Sequence, residues 1–175
     1  MENIFNLTEI RGYIDKKAQN VVQCLIEKNL SVSCAESCTG GLLSSAITSV
    51  SGASGVFECG VVSYSERIKE ELVGVPVDVI ERYGVVSAET AVAMAKGVGN
   101  ISRSDIAVGI TGLAGPKSET DVLPVGTVYI AIVFRDRVHA ENLRLYELGD
   151  FERDVNRHLT VLKVLEKLEE LLAGI

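Results

Sequence analysis

Glu36, Ser37, Cys38 and Thr39 place a carboxylate, two hydroxyls and a thiol side by side, and Gly40 and Gly41 follow them. A serine hydroxyl is a poor nucleophile at neutral pH and needs a base to take its proton. His139 and His158 fall in a candidate hairpin and in the last helix, so a Ser-His-Asp triad is not expected and both read as surface or structural residues. A lysine can be the base instead, provided burial or a neighbouring cation lowers its pKa. Lys69, five positions after Tyr64, is the candidate. Its other reading is a solvated helix lysine. Tyr64 could relay a proton or hold the serine, or be a rim aromatic with its polar tip in water.

Backbone N–H groups of Thr39, Gly40 and Gly41 could supply an oxyanion hole. Cys38 is a second candidate nucleophile, because a thiolate is favoured at a helix N-terminus. The same corner could cradle a phosphate, or Ser37 or Thr39 could be a plain N-cap. A second glycine-rich stretch, Thr111-Gly-Leu-Ala-Gly-Pro116, could bring backbone close to a phosphate or sugar, since Gly112 and Gly115 lack a Cβ. Neither a Walker motif nor a dinucleotide fingerprint is present.

Strand ends must hold these groups. Thr8 to about Asn29 has one helical apolar face, with Thr8 a candidate cap, and Ser31–Ala35 reads as a buried strand. A helix then runs from Gly41 to about Val50, a loop from Ser51 to Gly55, and a strand from Phe57 to Tyr64. A helical turn or two ends near Gly74, Pro76 starts a short helix to about Tyr83, and Ser87 caps a clear helix. Asp105–Ile110 is the third strand. The polar run from Lys117 to Val122 looks mobile. Val125–Phe134 and Val138–Leu148 read as a hairpin joined by Arg135-Asp-Arg137. From Asp150, a plausible cap, Val155, Leu159, Leu162, Leu165, Leu168 and Leu172 mark a long amphipathic helix.

This order predicts an α/β protein, three layers α/β/α around a mixed sheet of about five to six strands. If the first three strands are parallel, right-handed crossovers bring their ends to one edge. Ser37, Tyr64 and Thr111 then gather at a single crevice.

At 175 residues the chain reads as a single domain over 1–175 with a sizeable core. A net charge of -7 without a Lys/Arg run argues against nucleic acid as partner. The Met1 end carries no signal-peptide pattern and no apolar run nears ~20 residues, which excludes a membrane span and points to the cytoplasm. Cys24, Cys34, Cys38 and Cys59 lack zinc-site spacing and read as reduced thiols.

Several motifs occur together and in order: Glu36-Ser-Cys-Thr-Gly-Gly41, Tyr64-Ser-x-x-x-Lys69, Gly84-Val-Val-Ser87, Thr111-Gly-Leu-Ala-Gly-Pro116 and Pro124-Val-Gly-Thr-Val128. Together they resemble the CinA C-terminal-domain family of nicotinamide-nucleotide amidohydrolases, also called competence/damage-inducible domains. The resemblance implies hydrolysis of the carboxamide of nicotinamide mononucleotide to nicotinate mononucleotide and ammonia, with no metal and no cofactor. It implies Ser37 as nucleophile with Lys69 and Tyr64 assisting. Glu36, Cys38, Thr39, Gly40, Gly41, Thr111, Gly112 and Gly115 are the substrate-binding candidates. The partner it implies is a small nucleotide, and a homo-oligomer is expected by analogy alone.

Two departures stand out. Lys117-Ser-Glu-Thr120 replaces the family's usual glycine pair, and the arginine of the usual Gly-Asp-Arg run is displaced to Arg153, with Arg157 following. Either arginine could meet a phosphate or belong to a charged helix face. Longer members carry an N-terminal nucleotide-pyrophosphatase-like domain that is not seen here, and that activity is not carried over. The alternative to an enzyme is a non-catalytic module that binds a nucleotide and signals to a partner.

Overall fold

The computed structural model describes residues 6–117 and 122–175. Among these, five strands form one sheet in the order β2-β1-β3-β4-β5. The chain runs α1 (Leu7–Lys28), β1 (Val32–Glu36), α2 (Leu42–Thr48), β2 (Phe57–Val62), α3 (Glu66–Glu71), α4 (Val77–Tyr83), α5 (Ala88–Ser102), β3 (Ile106–Gly112), β4 (Val128–Phe134), β5 (Arg137–Asn142) and α6 (Arg153–Ala173). β1 pairs in parallel with both β2 and β3, whereas β4 and β5 are antiparallel additions, so the sheet is mixed.

Side-chain alternation divides the core. Val32 and Cys34 of β1, Ile106, Val108 and Ile110 of β3, and Val128, Ile130 and Ile132 of β4 pack beneath α1, α2 and α6. Large branched residues there contribute ~1.5–3 kcal/mol each when fully buried. The opposite face carries small residues, Ala35, Ala107 and Ala131, beneath α4 and α5. Gly109 explains how closely α5 lies: a Cβ there would meet the Ala91 carbonyl oxygen at 2.1 Å. The α/β/α layering expected from the element order is the architecture found.

Several boundaries differ from the sequence reading. Asn6, not Thr8, caps α1 by accepting from the Thr8 N–H at 2.9 Å. β1 ends one residue later than expected and β2 two residues earlier. The late β run stops at Asn142 rather than Leu148: Arg144 takes left-handed backbone, Leu145 is fully buried, and a 3-10 turn over Leu145–Glu147 replaces the strand. α6 starts at Arg153 with Glu152 at its cap, so Asp150 does not cap it. The expected mobility of 117–122 falls mostly on residues 118–121, outside the described residues.

Candidate active site

β1 lies between its two parallel neighbours, and the chain leaves it to one side for β2 and returns on the other for β3. That is a topological switch point, where open α/β sheets bind ligands. The ends of β1, β2 and β3 meet there. Ser37 continues the ladder beyond β1 by donating its N–H to the Ile110 carbonyl at 3.0 Å.

Alternation then sends two sequence neighbours to opposite faces. Glu36 has the parity of Val32 and Cys34 and points toward α2. Its carboxylate, fully buried, accepts from the Thr39 hydroxyl (2.7 Å), the N–H groups of Gly41 (3.0 Å), Leu43 (3.2 Å) and Ser44 (2.8 Å), and the Ser44 hydroxyl (2.6 Å). It thereby closes the N-terminus of α2, which has no capping side chain of its own. Gly40 (φ 61°) and Gly41 (φ 93°) make the left-handed turn between them.

Ser37 has the opposite parity and meets Lys69. The lysine is only 2 % exposed, and its Nζ lies 3.1 Å from Ser37 Oγ and 2.7 Å from the Ser63 carbonyl oxygen. Tyr64-to-Lys69 spacing achieves this because Ser65 caps α3, accepting from the Ile68 N–H, and turns the helix so that Lys69 faces inward. Burial lowers the pKa of Lys69 below its usual 10.5, with Cys38 and Glu66 opposing that shift. A solvated helix lysine is not what the structure contains.

A cavity of about 300 Å³ opens over this pair. Ser37, Cys38, Tyr64, Lys69, Thr111, Gly112 and Gly115 line it. Glu36, Thr39, Gly40 and Gly41 do not: they form the turn behind it. The expected oxyanion donors change accordingly. Gly40 N–H is spent on the Ser37 carbonyl (3.0 Å) and Gly41 N–H on Glu36. The Thr111 hydroxyl donates to the Val85 carbonyl at 2.7 Å, tying the 84–87 stretch to the cavity wall. Tyr64, 63 % exposed, accepts from Arg153 Nη2 at 2.9 Å, and Arg153 Nη1 donates to the Gly115 carbonyl oxygen.

Cys38 loses its standing as a nucleophile. Burial pushes its thiol up to about 12, ahead of a backbone hydrogen bond that lowers it and the Glu36 charge that raises it, so little thiolate forms at neutral pH. His158 is buried, donating from Nδ1 to the Asp154 carbonyl oxygen (2.7 Å) while Nε2 accepts from Arg11 (3.2 Å). His139 sits on exposed β5. Neither lines the cavity.

Arg153, one of two arginines weighed from sequence for a phosphate, does line the cavity, whereas sequence reasoning did not put Ser63, Val85 or Val86 at the site. The signal for Val85 and Val86 was the Gly84-Val-Val-Ser87 motif; for Ser63 there was none, because only its carbonyl takes part. Arg157 turns away from the cavity and donates to the Thr39 carbonyl at 3.0 Å. Among the described residues no helix is long and apolar enough to cross a membrane.

Comparison with known proteins gives a consistent result. A family model described as CinA C-terminal domain matches residues 14–172. A CinA-like protein of Akkermansia muciniphila is 48% identical over 126 residues, 72% of this chain and 30% of that protein. The chain spans 30% to 42% of the length of the curated relatives it matches. Among solved structures, the competence/damage inducible protein CihA of Agrobacterium tumefaciens superposes with a TM-score of 0.84 at 37% identity, covering 89% of this chain and 93% of that one. A CinA-superfamily protein of Klebsiella pneumoniae gives 0.87 at 27% identity, covering 93% and 99%.

Proposed function

The chain belongs to the CinA C-terminal-domain family, and from that premise and the site geometry we propose that it is a serine amidohydrolase releasing ammonia from nicotinamide mononucleotide. One observation carries the reading: the buried Lys69 amine stands 3.1 Å from the Ser37 hydroxyl with a lowered pKa. In its neutral form the amine donates to the Ser63 carbonyl and keeps its lone pair for the serine proton.

The steps balance as follows. Lys69 takes the Ser37 proton as Oγ bonds to the carboxamide carbon, giving a tetrahedral oxyanion. As the C–N bond breaks, the ammonium of Lys69 returns that proton to the leaving nitrogen, and ammonia departs from an acyl-serine ester. Water then attacks the ester carbon as Lys69 takes one of its protons, and as the ester C–O bond breaks the ammonium of Lys69 returns that proton to Ser37 Oγ, which leaves free serine, a neutral lysine and the nicotinate product. The Cys38 and Thr39 N–H groups directly follow Ser37 and are the nearest backbone donors in sequence for the oxyanion. Arg153 holds the Tyr64 oxygen from one side, which leaves the phenolic proton to be donated to a ligand.

Ser37→Ala tests the proposal by ammonia release from nicotinamide mononucleotide. The expected result is loss of turnover to background in a protein that still folds; full activity overturns the serine mechanism. Nucleotide binding by the unaltered protein in calorimetry, with no ammonia over hours, would favour the binding-module alternative.

A further inference from the structure

The cavity has the opposite charge from the chain around it. The chain carries a formal -7, yet even with Lys69 neutral as the reaction requires, the cavity wall sets two cations, Lys117 and Arg153, against one carboxylate, Glu66. Two of the basic side chains at the site already have partners there: Lys69 holds the Ser63 carbonyl, and Arg153 bridges Tyr64 and Gly115. Lys117 has a different position. It is exposed, two residues beyond Gly115, and none of the ion pairs among the described residues includes it. The cavity therefore has a dry end and a wet end: Ser37 and Lys69 are buried at the floor, and Lys117 stands at the mouth.

A lysine ammonium on a flexible stem is a hydrated point charge with three donors, suited to a phosphate that stays partly in water. A mononucleotide amide has the matching polarity, with a neutral carboxamide at one end and a dianionic phosphate at the other. We propose that Lys117 is a specificity-determining residue that takes the phosphate at the cavity mouth while the carboxamide lies against Ser37. The site then selects phosphorylated amides over their nucleosides. The inference rests on the amidohydrolase reading of this same site and names the group that distinguishes its substrate class.

The test compares kcat/KM for nicotinamide mononucleotide and for the riboside lacking its phosphate, in the unaltered protein and in Lys117→Ala and Lys117→Glu. The preference for the nucleotide should fall about tenfold in Lys117→Ala and further in Lys117→Glu, through KM for the nucleotide rather than kcat. An unchanged preference in both variants overturns the proposal. Calorimetric titration with nicotinate mononucleotide at low and moderate ionic strength supplies a readout independent of turnover. Binding to the unaltered protein should weaken with salt, and Lys117→Ala should bind more weakly with most of that salt dependence gone. Lys117-dependent binding without ammonia release defeats the amidohydrolase reading alone. Ammonia release with a Lys117-independent preference defeats the present inference alone.

Discussion

Glu36 and Ser37 are adjacent in the chain and occupy opposite sides of the sheet. The Glu36 side is closed: a buried carboxylate receives five hydrogen bonds and finishes the first turn of α2. The Ser37 side is open: a second buried ionisable group, Lys69, has the Ser63 carbonyl and the Ser37 hydroxyl as its hydrogen-bond partners, and a cavity above. A buried charge whose bonding capacity is filled serves the fold, whereas one whose environment disfavours its charged form is ready to exchange a proton. The first finishes a helix, and the second is the group the proposed reaction uses, although both are buried.

The contrast is broken most severely by Lys69→Met, which keeps the stem and removes the base. Turnover should fall about 10²–10⁴-fold while the circular dichroism spectrum is retained; activity within a few-fold of the unaltered protein would deprive the lysine of its role. Glu36→Gln should do the reverse. An amide NH₂ would face N–H donors, and urea unfolding should show a loss of about 3 kcal/mol, with turnover per folded molecule little changed.

The pH dependence sharpens the same distinction. Because the folded-state pKa of Lys69 is lowered, kcat/KM should climb with pH up to that value and level off above it, still below 10.5. For stability, the unfolded chain binds more protons between the lowered folded value and 10.5, so stability should rise with pH across that window. A pH titration of unfolding should lose this slope in Lys69→Met.

Smaller effects are expected around the pair. Tyr64→Phe removes a proton donor but leaves the aromatic wall, and ammonia release should drop by about tenfold. Cys38→Ala should change turnover less than threefold and cost about 1–2 kcal/mol in a urea melt, the loss of a small buried group. Iodoacetamide should leave Cys38 unmodified in the native protein, as mass spectrometry of the digest would report.

Much of this arrangement was readable from residue order. Apolar periodicity located α1, α5 and α6, and β-branched runs located β1 to β4 to within three residues. What defeated it were local features with distant causes. The segment after Asn142 is rich enough in apolar residues to pass for strand, but Leu145 is fully buried and its N–H is used by the Gly126 carbonyl at 2.9 Å. Glu36 looked like a site residue because it neighbours Ser37; only the pleat reveals that it faces the other way. Arg153 could equally have been a solvated helix charge until α6 was seen to deliver it to Tyr64 and Gly115.

By itself the order of amino acids determined the layered class, the family and Ser37 as the candidate nucleophile, because these depend on periodicity and on residue types at short range. Packing alone decided which lysine lost its water, which thiol was silenced and which carboxylate became a cap. Those outcomes depend on desolvation and on partners near and far. The Glu36 cap draws on partners three to eight positions along the chain, whereas Lys69 reaches Ser37 across a separation of 32 and Arg157 reaches Thr39 across 118. Such distances in sequence become bond lengths only once the sheet has formed.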